Sequence, residues 1–318
     1  MKRYILKRIV QIIPVIFLVS ILSFLIIHSA PGDPINMYIK PEMTEYEIEQ
    51  LREQMGLNGS VISQYFSWLK NVLQGNWGYS LISNRPVLEL ILSKLPSTML
   101  LMACSLVLSV VIAIPLGLIS GMHENKAIDN VLSLFTYIGI SIPTFWFAVL
   151  LIVIFTLKLG WLPSVGMRST EVNTTVDLIK HLIMPSISLS IGNTAVFVRY
   201  IRTNTIKQLH EEYVTTVKAK GANSSYILRH HVLKNCLLPI ITLVGMNLAS
   251  LVTGSFIIES IFGWPGMGTL GMSAINSRDY PMIMGFTMLS CIILILGNLI
   301  ADVLYSFVDP RIKIGVKE

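Results

Sequence analysis

The side chains able to do chemistry are scattered through this sequence and form no catalytic set. No glycine is followed by lysine, so the phosphate-cradling loop G-x-x-x-x-G-K-[ST] is absent and nucleotide hydrolysis by that route is excluded. The patterns C-x-x-C, H-E-x-x-H and G-x-S-x-G are also missing, which removes the common zinc and serine-nucleophile signatures. His230 and His231 are adjacent and point to different faces of a helix, poor geometry for a shared metal. With Arg229 they read as part of a basic surface.

What remains is chemistry of recognition, concentrated in residues 199–235, RYIRTNTIKQLHEEYVTTVKAKGANSSYILRHHVLKN. The first half is helix-compatible up to Lys220. Lys218 and Lys220 stand in its last turn and Gly221 follows directly. Cations suit the negative end of a helix dipole, and glycine accepts the left-handed conformation that ends a helix. Ser224 reads as the N-cap of a second helix running toward Pro239. Tyr213, Val214 and Val217 share one face of the first helix, and Ile227, Leu228 and Leu233 recur in the second. Two short helices around a glycine make a compact knob able to dock in a groove on another protein.

The elements that must position this knob follow from hydropathy. The 318 residues are 53% apolar and only 13% Asp, Glu, Lys and Arg, about half the roughly 25% charge of a soluble domain. Cys104, Cys236 and Cys291 are odd in number and set in apolar runs, so no disulfide framework is expected. Six charge-free stretches occupy 9–32, 95–123, 130–157, 181–198, 235–258 and 280–301. A helix needs about 20 mostly apolar residues to cross a bilayer, so six spans are expected, the fourth being the shortest. The stretch 260–277, SIFGWPGMGTLGMSAINS, is too rich in glycine for a span and reads as a loop or re-entrant segment. The first stretch is too long for a cleaved signal and reads as an uncleaved span.

Lys and Arg number 15 in the 67 residues of segments 1–8, 121–130, 199–235 and 307–318, against 9 in the 115 residues of the opposite side. This asymmetry places both termini and the knob in the cytoplasm. The net charge of +6 is therefore topological, and no basic groove for nucleic acid is present. Pro14, Pro115, Pro143, Pro185 and Pro239 lie in or at the ends of spans and are expected to kink or break them. Gly245, Ala249 and Thr253 recur every four residues in the fifth span. They fit either ordinary close packing or a subunit interface or pathway wall. On the outer side, Thr44 and Glu47 have capping-box spacing, and Ile62, Phe66, Leu69 and Leu73 lie on one face of a second helix. This outer segment reads as a helical cap at the membrane surface, either packed on the protein or contacting a partner. His28, Glu259 and Asp302 are the ionisable residues nearest the spans, all close to span ends. An ion-coupled carrier needs such groups near the midplane, so the energy for transport is expected from a partner.

The loop resembles the EAA loop of ABC importer permeases, in the long form of the oligopeptide, dipeptide and nickel permease family. That form reads roughly E-x-Y-V-x-x-A-x-A-K-G, then R-H-x-L-x-N-x-L-L-P. Here stand EEYVTTVKAKG at 211–221 and RHHVLKNCLLP at 229–239, with Val217 where alanine is usual. PGDP (31–34), SIPTFWFAVLLI (141–152), LGWLP (159–163), ESIFGWPGMGTL (259–270), RDYP (278–281) and VDPR (308–311) resemble the same family in the same order.

The resemblance implies an all-α membrane protein with six transmembrane helices and the type I importer permease fold. It implies a chain divided into 1–30, an extracytoplasmic segment 31–96, a permease core 97–310 with its coupling loop at 203–235, and a tail 311–318. The implied role is one permease subunit of an ATP-driven, binding-protein-dependent importer of peptides or metal chelates in a bacterial or archaeal cell membrane. The implied partners are a second, different permease, two P-loop ATPases that hydrolyse the ATP, and an extracytoplasmic solute-binding protein. Glu212, Tyr213, Ala219, Lys220 and Gly221 would couple to the ATPase, and this chain would bind no cofactor or metal and catalyse no reaction. ESIFGWPGMGTL would be a gate or a contact for the binding protein, or else a glycine-rich turn that orders its loop. The competing reading is an ion-coupled carrier or a channel subunit.

Overall fold

The computed structural model describes residues 2–29, 39, 43–54, 59–170, 172, 174–247 and 254–308. PGDP, Met55, Ala249, Thr253 and most of VDPR lie outside them. The described residues form helices and turns with no strand. In chain order the helices are α1 (Lys2–His28), α2 (Glu45–Gln54), α3 (Val61–Leu73), α4 (Val87–Met122), α5 (Ala127–Ser141) and α6 (Thr144–Leu151). They continue with α7 (Thr175–Leu209), α8 (Glu212–Ala219), α9 (Ser224–Ile227), α10 (Leu233–Asn247), α11 (Phe256–Ile261), α12 (Met267–Asn276) and α13 (Tyr280–Val308). A π-helical stretch, Ile152–Lys158, extends α6, and another, Leu228–Val232, joins α9 to α10.

Helices α1, α4, α7 and α13 are long and apolar enough to cross a membrane. The expected third span is bent: α5 and α6 with its extension meet at 100°. Ile142 precedes Pro143, and the proline ring drives the residue before it out of the helical region; Ile142 has ψ 124°. By contrast, α1, α4 and α7 run on through Pro14, Pro115 and Pro185. The expected fifth span is described as α10, up to Asn247.

The fourth span, shortest by charge-free length, is a 35-residue helix at the centre of the bundle. Half of the most apolar window of α7 is buried inside the protein, against 6% for α1. A helix surrounded by other helices can carry buried Ser188 and Ser190 at little cost, because their hydroxyls donate to the Met184 and Ile187 carbonyl oxygens of the same helix. Those residues lowered its apparent apolarity in the sequence.

Helix α4 packs parallel to α7 through a stripe of small residues four apart: Ser105, Ser109, Ala113, Gly117 and Gly121, all buried. A Cβ at Gly117 would lie 2.6 Å from Ile201 Cβ, and one at Gly121 2.6 Å from Thr205 Cβ. This is the close approach that glycines permit between membrane helices. Ser109 Oγ also lies 3.2 Å from the Ser190 carbonyl oxygen across the same contact. Near the α7 C-terminus, Arg202 donates from Nε and Nη2 to Asp129 of α5 at 2.6 and 2.7 Å. Ser120 and the Asn125 amide donate to the same carboxylate, which ties α4, α5 and α7 together.

Candidate functional site: two helical hairpins at opposite ends of the bundle

One hairpin follows the C-terminus of α7. Helix α8 ends as expected: Lys220 is the C-cap, and Gly221 has φ +86°. The Gly221 amide donates to Lys218 O at 2.9 Å and the Ala222 amide to Val217 O at 3.3 Å, the paired bonds of a Schellman motif. The next helix is capped by Asn223 and not by Ser224. Asn223 Oδ1 accepts the Tyr226 amide at 2.8 Å, and its carbonyl accepts the Ile227 amide. Ser224 is already the first helical residue.

A small apolar core holds this knob together. Val214, Ile227, Val232 and Cys236 are buried, with Leu209, Tyr213, Val217, Ala222 and Leu228 packed around them. Its polar edge was not anticipated. Tyr213 Oη donates to Gln208 Oε1 at 2.8 Å, and Asn235 Nδ2 donates to the same oxygen at 2.9 Å. Gln208 closes α7, Tyr213 sits on α8 and Asn235 opens α10, so three elements share one node. Only Gln208 falls outside the motifs read from the sequence, and nothing local marks it. Of the five candidate residues, Tyr213 turns partly inward, while Glu212, Ala219, Lys220 and Gly221 are exposed together on the outer side. His230 stacks on Tyr226 with ring centroids 4.3 Å apart. Among the described residues no group of three His, Cys, Asp or Glu could hold a metal ion.

The second hairpin, α11 and α12, lies at the opposite end, against the start of α4. The stretch 260–277 holds the end of α11 and all of α12, and neither helix is long enough to span a membrane. It is built around Glu259, whose side chain is fully buried. Glu259 Oε2 accepts the Gly268 amide at 2.7 Å and the Thr269 amide at 3.3 Å, so the carboxyl group caps α12. Thr98 of α4 accepts the Met267 amide at 2.7 Å and donates to Glu259 Oε1 at 3.0 Å. Fully buried Trp264 donates from its indole to Ser97 O at 2.9 Å.

The glycines of ESIFGWPGMGTL leave room for this carboxyl group. A Cβ at Gly266 would stand 2.4 Å from Thr98 Oγ1, and one at Gly268 2.9 Å from Glu259 Oε2. Next to the hairpin, Asp279 of RDYP opens α13. Its Oδ1 accepts the Met282 amide at 3.2 Å, and its Oδ2 accepts the Ser80 hydroxyl at 2.6 Å. Pro281 falls in the first turn of α13.

The remaining candidates divide. Gly245 is half-buried on α10, whereas Ala249 and Thr253 lie outside the described residues. Among the described residues, tight small-residue packing runs along α4. All three cysteines are free thiols.

Apolar helices carry a helical knob at one end and a capped hairpin at the other, and the comparisons show the class to be a membrane permease component of an importer. The chain belongs to the family described as binding-protein-dependent transport system inner membrane component, whose model matches residues 113–314. The model of that family's N-terminal part matches residues 1–102. The chain is 40% identical to the oligopeptide transport system permease AppB of Bacillus subtilis strain 168, covering 98% of this chain and 100% of that relative. It is 36% identical to the glutathione transport system permease GsiC of Escherichia coli K12, covering 98% and 99%. A chain of the inward-facing MetNI methionine ABC transporter superposes with a TM-score of 0.54 at 18% identity. That match covers 70% of this chain and 97% of the other, and supports the type I importer permease fold.

Proposed function

We propose that this chain is one of two permease subunits of an ATP-driven importer of peptides, with α8 and its turn seated on a cytoplasmic P-loop ATPase. The observation that carries the reading is the Gln208–Tyr213–Asn235 node. It joins the knob to the ends of both α7 and α10, so a displacement of α8 is transmitted to two bundle helices at once. Glu212, Ala219, Lys220 and Gly221 face outward as the docking surface. ATP binding by the partner then favours one global state of the permease pair, and the node passes that bias on. The names of relatives that carry oligopeptides and glutathione support a peptide solute.

In this reading both termini are cytoplasmic, the α11–α12 hairpin faces the extracytoplasmic binding protein, and the partner permease is a different chain. Gly245, Ala249 and Thr253 line the pathway or the subunit interface. The chain divides at 30, 96 and 310, with the coupling loop at 203–235. Mild-detergent purification from native cells tests the assembly: a P-loop ATPase and a second permease should co-purify. Uptake by reconstituted vesicles tests the mechanism. Peptide uptake should require ATP, and uptake driven by an ion gradient without ATP would overturn the reading.

A further inference from the structure

Helix α3 carries an apolar arc wider than its contact with the protein. Val61, Tyr65, Trp68 and Val72 occupy one half of that arc and Ile62, Phe66, Leu69 and Leu73 the other, with Ser63, Gln64, Ser67, Lys70 and Asn71 on the remaining face. The first half packs on α1. Tyr65 meets Phe17 and Phe24 edge-on, and Trp68 lies 6.3 Å from Phe24 between ring centroids. The Tyr65 hydroxyl and Ser20 Oγ are 2.8 Å apart and buried. Ser20 donates its own proton to Phe17 O, so Tyr65 is the donor of that pair. The second half is mostly open among the described residues: Ile62 is 69% exposed, Phe66 56% and Leu73 80%, while Leu69 is partly buried and Phe66 meets Tyr65 edge-on.

The depth of the contact identifies what covers this half. The apolar span of α1 is Val10–His28. Ser20 lies eight residues inside its end, about 12 Å at 1.5 Å per residue, and the hydrocarbon core is about 30 Å thick. The Tyr65–Ser20 contact thus holds the apolar side of α3 beside the outer part of α1, below the membrane surface. The neighbouring α1 surface is also open and apolar, with Phe17 47%, Leu18 57%, Leu25 46% and Ile26 70% exposed. An open apolar face on a membrane span suits lipid, and the exposed half of α3 continues that face.

We infer that α3 is an interfacial helix, with Ile62, Phe66 and Leu73 inserted among the acyl chains of the leaflet at the α11–α12 end and its Ser67–Asn71 face turned to water. An amphipathic helix of this kind sits about 5–10 Å into the headgroup and acyl boundary. It would fix the level at which the chain between α1 and α4 rides on the membrane.

Spin labels test this in the full transporter, reconstituted in phosphatidylcholine–phosphatidylglycerol vesicles after serine replacement of Cys104, Cys236 and Cys291. Cysteine is placed singly at Ile62, Phe66 and Leu73 and, as controls, at Ser67 and Asn71. Molecular oxygen, which partitions into acyl chains, should collide with labels at the first three positions several-fold more often than a water-soluble nickel chelate does. The controls should show the reverse. If the nickel chelate reaches 66 and 73 as readily as 67, the face is in water and the inference fails. If both probes are excluded from them, a protein surface covers the face and the inference fails equally. The three apolar sites are independent, so a label that disturbs folding at one leaves two readings.

Discussion

The two hairpins solve the same problem by opposite means. At the α8 end, a turn between helices is closed by backbone bonds around Gly221, and apolar side chains fill the space behind it. At the α11–α12 end, a buried carboxyl group caps a helix, and glycines keep other atoms away from it. The environments of the glycines differ accordingly. A Cβ at Gly221 would meet nothing within 4 Å, whereas one at Gly266 would collide with Thr98 and Glu259. Inside the chain, Gly221 is required only for its left-handed backbone. Gly266 is required by the fold itself.

The comparison breaks first, and with the largest effect, at Glu259. Glu259→Ala leaves the Gly268 and Thr269 amides and the Thr98 hydroxyl without their acceptor in a sealed site, at about 1–3 kcal/mol for each group stranded. Thermal unfolding in detergent should show a large drop in midpoint, and Glu259→Gln, which keeps an acceptor, should lose much less. An unchanged midpoint for the alanine variant would mean that the carboxyl group does not hold the hairpin.

Gly266→Ala comes next. Its φ of −109° is ordinary, so the whole cost is the collision, about 1–3 kcal/mol by the usual penalty for overpacking. At the other end, Val214→Ala removes two methyl groups from the small core and should cost about 2 kcal/mol. Tryptic cleavage at Lys218 or Lys220 should accelerate as the knob loosens. Wild-type cleavage would show that the core does not order the turn.

The smallest effect on stability belongs to Gly221. Alanine there should cost about 1 kcal/mol, and Gly221→Asn less, since asparagine tolerates the left-handed region. Gly221→Asp should nevertheless abolish uptake while membrane insertion and melting stay near normal. That separation of stability from transport is the signature of a docking surface. Normal uptake would sink the coupling assignment, and a large loss of stability would erase the contrast between the two hairpins.

Local features were legible from residue order alone. The capping box of α2 is present, with Thr44 N and Oγ1 donating to Glu47 Oε2 at 2.8 and 2.9 Å. These bonds hold the Glu47 carboxyl below its ordinary pKa. The Schellman turn at Gly221 was equally clear. Each is written in fewer than ten consecutive residues, and its bonds connect neighbours. The Ser224 cap failed by one position: Asn223, an equally good cap residue, stands directly before it and takes the Tyr226 amide.

Sequence by itself determined the class of protein, the positions of the apolar helices and the glycine-closed knob, because hydropathy and capping are local properties of the chain. Only the tertiary structure decided that α7 is the central helix, that α5 and α6 part at 100°, and that Glu259 caps α12 with the help of Thr98, 161 residues away. It also decided that Gln208 joins the knob to the bundle. The reason is physical. A polar residue in an apolar run reads only as weaker hydropathy, and whether it is a defect or a keystone depends on donors and acceptors that other helices bring to it.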